Sequence, residues 1–163
     1  MIHPDDIQSN RPPKFGRDSI LIIEDNPDHL FLVKRALEEC MPGIKAVGTS
    51  NGQLALDLLT TNHGLSTKAS PRLILLDLYL PTRAEGVLTL QALKNHFVKL
   101  DQPPVPVVMF SYSDHVEDIN LCYRHGANAY LVKLPDYHDW VTYFSGLRDF
   151  WLETATLPPH QIF

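Results

Sequence analysis

No stretch of this sequence gathers lysine and arginine into a block, and 14 basic against 19 acidic residues leave a net charge of −5. That balance lacks the electrostatic footprint of a nucleic-acid binder. No apolar run approaches the roughly 20 residues a membrane-spanning helix needs, so no membrane segment is expected. Met1 to Asp18 is polar and proline-bearing and lacks the apolar centre of a signal peptide, which makes a cytoplasmic protein the expectation. Cysteine is scarce. Cys40 and Cys122 fall in separate apparent helices with no ligand or redox spacing, which points to reduced, packed thiols. The eight histidines show no metal-ligand spacing; His29, His63, His96, His115, His125 and His138 are expected at the surface. There is no internal repeat, low-complexity segment or interdomain linker, and 163 residues suffice for one domain with its own core.

What the sequence does have is a series of short apolar runs that end in polar residues. Ser19–Ile23 runs into Glu24-Asp25, Leu73–Leu76 into Asp77, Val105–Phe110 into Ser111, and Ala127–Val132 into Lys133. Runs of this length and composition read as strands buried on both faces, with Ile44–Thr49 a further strand nearer an edge. Between them lie helical patterns. The first follows a cap at Asp25 or Asn26 with Pro27 in its first turn and ends near Met41, before Pro42-Gly43. A second opens at Ser50-Asn51-Gly52, and Asn62–Ser70 reads as a polar loop. A turn is expected over Thr82–Gly86 and a third helix from Val87 to about Leu100. A fourth runs from Asp114 to His125-Gly126, and a fifth from the cap Asp136 to about Leu152. The expected organisation is an N-terminal arm over 1–18, one domain over 19–152 and a tail over 153–163. Five strands alternating with five helices predict a flavodoxin-like, doubly wound α/β fold with a parallel sheet of order 2-1-3-4-5.

In a parallel sheet all these strand ends emerge on one edge. An unpaired carboxylate is too costly to bury, so Asp77 belongs at the mouth of its strand. Glu24, Asp25 and Asp77 gathered there would repel one another unless a cation is present. A hard divalent ion such as Mg2+ takes oxygen ligands and needs only one or two carboxylates. With Lys133 beside it and Ser111 as a hydrogen-bond donor, the edge suits a phosphoryl group, and Asp77 is then free to act as nucleophile. Taken alone, Glu24-Asp25 would read as a helix cap, Ser111 as a turn residue and Lys133 as a solvated strand end.

Glu24-Asp25, Asp77 with Pro81, Ser111, and Ala127-Asn-Ala-Tyr-Leu-Val-Lys133 together resemble the receiver domain of two-component response regulators. The resemblance covers roughly Ser19 to Leu152. More narrowly, the long loops and the tail from Trp151 resemble the stand-alone receivers that partner bacterial phytochromes. It implies that Asp77 accepts a phosphoryl group from a sensor histidine kinase or a phosphotransfer protein. It implies Mg2+ bound directly by Asp25, with Asp77, Glu24 through water and the Tyr79 backbone carbonyl completing the site. Lys133 would pair with Asp77 and then with the phosphoryl group. Ser111 and Tyr130 would be the switch residues. On this reading the protein catalyses only its own phosphorylation and dephosphorylation. The sequence departs from the family's pattern at three places: Gly86 stands nine rather than eight residues after Asp77, Leu134 separates Lys133 from Pro135, and the residue two after Asp77 is the bulky Tyr79.

Trp140, Tyr143, Phe144, Leu147, Phe150 and Trp151 form a stripe along the last helix. Val141, Phe144 and Leu147 are expected in the core. A helix on one sheet face buries only part of its circumference, so the excess of aromatics predicts a homodimer through helix four, strand five and helix five. Two other readings stay open at this point: a phosphorylation-independent pseudo-receiver that only binds, and a Mg2+-dependent phosphatase with an aspartyl-phosphate intermediate. The second ordinarily wants an Asp at position 79.

Overall fold

The apolar runs become the centre of a five-stranded parallel sheet in a computed structural model that describes Phe15, residues 18–63 and residues 70–154. The strands are β1 (Ser19–Ile23), β2 (Lys45–Thr49), β3 (Leu73–Leu76), β4 (Val107–Ser111) and β5 (Ala129–Val132), in the order β2-β1-β3-β4-β5. The helices are α1 (Pro27–Cys40), α2 (Gly52–His63), α3 (Arg83–Lys99), α4 (Val116–Arg124) and α5 (Tyr137–Leu147), and a π-helical segment, Arg148–Thr154, prolongs α5. This is the fold and strand order the sequence predicts.

Every residue of β1, β3 and β4 is buried because both faces of the sheet are covered, which is why these strands show no polar alternation. Leu21, Ile23, Ile74, Leu76, Val107 and Met109 pack with residues of α2, α3 and α4. Ile20, Ile22, Leu73, Leu75, Val108 and Phe110 pack with α1 and α5. Each such side chain contributes about 1.5–3 kcal/mol of burial free energy, so the sheet holds the strand ends in fixed positions. Trp140 belongs to this second core: its indole N–H donates to the Leu134 carbonyl over 2.8 Å, and its ring meets Phe110 edge-on. Among the stripe's aromatics on α5 and its extension, Phe150 alone is exposed.

Several local expectations shift. The third helix begins at Arg83, not Val87, because Thr82 caps it: the Thr82 side chain accepts from the Glu85 N–H. The Thr-x-x-Glu spacing of a capping box carries this signal in the sequence. Gly86 therefore lies within the first turns of α3, where a Cβ would overlap the Leu78 carbonyl. Of the eight residues between Asp77 and Gly86, the last three belong to α3, so the extra residue of this spacing leaves that close approach in place. The fourth helix begins at Val116 rather than Asp114. Its cap, His115, makes no side-chain capping bond, and Ser113 is committed to Asp118 instead. Asn26 caps α1, accepting from the Asp28 and His29 N–H groups.

Asn62, expected in a loop, is buried at the end of α2, donating to Leu58 and accepting from the Phe15 N–H over 2.9 Å. Phe15, expected in the arm, is buried in the core. The remainder of the expected arm apart from Asp18, the expected loop over 64–69 and the expected tail beyond 154 lie outside the described residues. Among the described residues the cis peptide bond is Leu80–Pro81, not the bond before Pro135. His29, His96 and His125 are half-buried rather than at the surface.

Candidate functional site

The ladder of the sheet delivers the site residues. The Asp77 N–H donates to the Ile23 carbonyl at the end of the β1–β3 pair, and the Lys133 N–H donates to the Ser111 carbonyl at the end of β4–β5. Glu24, one residue past β1, donates its N–H to the Thr49 carbonyl. Glu24, Asp77, Ser111 and Lys133 thus meet at the C-terminal edge, as parallel strands require.

Lys133 is the electrostatic centre. Its side chain is fully buried, and its Nζ donates to Glu24 Oε2 over 2.6 Å and to Asp77 Oδ2 over 3.1 Å. The rings of Phe110 and Tyr112 flank the ammonium at 5.4 and 5.2 Å. Burial of this kind is tolerated because two carboxylates satisfy the charge. Glu24 is itself nearly inaccessible, and its Oε1 also accepts from the Asn26 N–H. Burial pushes its carboxyl up to about 7, against the opposing pull of Lys133 and with a further upward contribution from Asp77. Asp77 keeps 11% of its side chain exposed, enough to be reached from solvent, and its Oδ1 accepts from the Tyr79 N–H. Asp25 is exposed.

Carboxylate oxygens of Glu24, Asp25 and Asp77 lie within 4.8 Å of one another. Three carboxylates against one ammonium leave uncompensated negative charge, and an all-oxygen donor set open to solvent suits a hard divalent cation. The residues present therefore fit the metal expected from the sequence.

Ser111 is buried at the end of β4, where its Oγ accepts a long bond from the Ser113 N–H. Tyr130 is half-buried and its hydroxyl donates to the Ser113 carbonyl over 2.8 Å. Both expected switch residues, Ser111 and Tyr130, are thus joined to the segment that follows β4. Sequence reasoning missed the group on the other side of that segment. Asp118, inside α4, is almost wholly buried and accepts from Tyr79 Oη (3.0 Å), Arg83 Nη1 (2.9 Å) and Ser113 Oγ (2.6 Å). Burial works to raise its carboxyl, but these three donors outweigh it and hold it below the usual range. Asp118 and Cys122, four residues apart, share the one buried face of α4. His29 was also missed: it lies 3.9 Å from Glu24 and packs on Tyr112, and burial together with the Lys133 cation lowers its basicity.

A partly exposed strand-end carboxylate beside a buried lysine and an acidic pair, on a sheet of this order, defines a receiver fold. Residues 20–142 match the response regulator receiver domain, and the chain belongs to that family. It is 31% identical over 149 residues to the response regulator Rcp1 of Synechocystis sp., covering 91% of this chain and 96% of that one. It is 32% identical over 133 residues to FilR2, a probable methanogenesis regulatory protein of Methanothrix harundinacea, covering 82% and 83% of the two chains. Among solved structures, the phosphorylated cyanobacterial phytochrome response regulator RcpA aligns with a TM-score of 0.72 at 30% identity, over 88% of this chain and 100% of that one. The Mn2+-bound form of Rcp1 aligns with a TM-score of 0.68 at 30% identity, over 87% and 99%. The protein is a response regulator receiver of two-component signalling. No helix among the described residues is long and apolar enough to cross a membrane.

Proposed function

We propose that Asp77 is the phosphoacceptor and that Mg2+ is the working metal. The observation that carries this reading is the pairing of Asp77, the partly exposed carboxylate, with the fully buried Lys133, beside the other two carboxylates. An Asp77 oxygen forms the new O–P bond while the P–N bond to the donor's phosphohistidine breaks, and the imidazole leaves with that electron pair and takes a proton. Hydrolysis of the acyl phosphate later restores the carboxylate. Asp25, Asp77, Glu24 through water and the Tyr79 carbonyl would hold the ion, which supplies positive charge opposite the transferring oxygens. Lys133 neutralises the acceptor before transfer and the phosphoryl oxygens after it. Ser111 donates to one of those oxygens, and Tyr130 follows the movement of the segment after β4.

The donor is a sensor histidine kinase, of the bacterial phytochrome class, or a phosphotransfer protein. The likeness to RcpA, a cyanobacterial phytochrome response regulator, supports that class. The output is a protein–protein contact, a homodimer through α4, β5 and α5, supported by the exposed Val116, Tyr123 and Phe150 on those elements and the extension of α5. The phosphatase reading finds no support: the Tyr79 hydroxyl, at the position where that chemistry wants an acid, is bonded to Asp118.

Intact-mass measurement after incubation with Mg2+ and acetyl phosphate tests the acceptor. One added phosphoryl group, absent in Asp77→Asn, is expected; no adduct on the unmodified chain would overturn the reading in favour of a pseudo-receiver. Light scattering with and without beryllofluoride tests the dimer, and a monomer in both states at high concentration rules it out.

A further inference from the structure

Asp118 is unusual in where its three donors come from. Tyr79 lies two residues after Asp77, Ser113 two residues after Ser111, and Arg83 opens α3. One carboxylate on α4 therefore ties together the segments that follow β3 and β4 and the start of α3. The rest of α4 is weakly anchored. It has nine residues, its cap makes no side-chain bond, and its buried residues are Asp118 and Cys122. Tyr130 adds a fourth tie, because its hydroxyl bonds the carbonyl of Ser113.

A buried carboxylate cannot exchange a lost donor for water at no cost. If the Ser111–Ser113 segment moves, Asp118 either loses a charge-assisted bond or moves with it, and moving with it means moving α4. We propose that Asp118 is a positioning residue that couples the state of Asp77 to α4, so that the surface carrying Val116 and Tyr123 changes with phosphorylation through this carboxylate. Asp118 touches neither the metal-ligand carboxylates nor Lys133 in the structure's hydrogen bonds, and its effect is transmitted through Ser113 and Tyr79. The inference rests on the assignment of Asp77 as phosphoacceptor.

The test is amide hydrogen exchange over Val116–Arg124, measured on the full chain with Mg2+ and with or without beryllofluoride, in the unmodified protein and in Asp118→Asn. A coupling of ordinary size changes exchange in α4 about fivefold or more in the unmodified protein. In Asp118→Asn that change is expected to disappear, while the same sample still gains one phosphoryl group from acetyl phosphate. Ser113→Ala and Tyr79→Phe, which each remove one donor and leave the carboxylate, are expected to give intermediate changes, and the melting temperature of each variant shows whether it is folded. A folded Asp118→Asn whose α4 responds as fully as the unmodified protein overturns the coupling while leaving the phosphoacceptor intact. An unmodified chain that takes no phosphoryl group overturns both.

Discussion

The Lys133 ammonium lies closer to Glu24 than to Asp77, at 2.6 Å against 3.1 Å. The lysine is thus anchored by the deeper carboxylate and only shared with Asp77, the proposed acceptor. That leaves Asp77 the freer of the two to present an oxygen to a donor. It also makes Lys133 a structural group as much as a chemical one, since its removal strands two carboxylates.

Lys133→Met should therefore cost about 3 kcal/mol of stability in metal-free buffer, the usual penalty for breaking a buried pair. Added Mg2+ should recover part of it by neutralising the same carboxylates. Urea denaturation with and without the ion measures both effects; a variant as stable as the parent without metal contradicts the electrostatic account.

The raised carboxyl of Glu24 gives a pH dependence of definite sign. Its value in the fold, about 7, lies above the ordinary 4.5, so the folded state binds the proton more tightly than the unfolded state. The stabilisation from this group is complete below the unfolded value and is lost as pH rises towards and through 7. Metal-free protein should lose this contribution between pH 5 and pH 8, and Glu24→Gln should remove that slope. Ion binding should strengthen over the same interval and release a proton, which calorimetry in buffers of different ionisation enthalpy detects.

Two glycines inside helices should respond oppositely to alanine. At Gly86 the added methyl overlaps the Leu78 carbonyl, a backbone atom that cannot turn aside. Gly86→Ala should cost about 3 kcal/mol or more. At Gly146, in α5, nothing lies within 4 Å of the new methyl. Gly146→Ala should stabilise by about 0.5–1 kcal/mol through helix propensity alone. Paired urea titrations compare them, and equal effects would refute the close-approach explanation.

Asn128 offers a test away from the site. Its Oδ1 accepts from the buried Val107 N–H over 2.9 Å and from Lys94 over 2.7 Å, fastening the start of β4. Asn128→Ala leaves that N–H unpaired and should cost about 1–3 kcal/mol. A loss below the error of denaturant titration would show that another acceptor takes over.

The sheet and its polar edge were legible because they depend on chain-local patterns. Four apolar runs each ending in a polar residue fix which side chains reach the C-terminal edge, and Glu24, Asp77, Ser111 and Lys133 meet there as parallel strands demand. The Asp118 group was not legible, because it joins residues 79, 83, 113 and 118 across three segments whose approach only tertiary packing decides. An Asp in the first turns of a helix ordinarily reads as a solvated partner of the helix dipole; its burial becomes visible only once α4 is laid beside Tyr79 and Arg83. The start of α3 lay between these cases. The Thr82–Glu85 spacing announces it, but Gly86 masks it by looking like a turn residue. Which of the stripe's aromatics are buried was open for a related reason, since helical spacing marks a stripe without saying which of its members the sheet covers, and Trp140 proves to be one of the covered ones.

Gly86 has a consequence for the direction in which the molecule can answer a change at Asp77. With no side chain there, α3 rests directly on the backbone of Leu78, and that flank has no slack to give. On the other flank stands a short helix with an unassisted cap. Strain arriving at the end of β3 meets an abutment on one side and a hinge on the other. If Asp77 is the acceptor as proposed, the response of this receiver is expected to be one-sided, with its shape change in the half of the surface beyond β4.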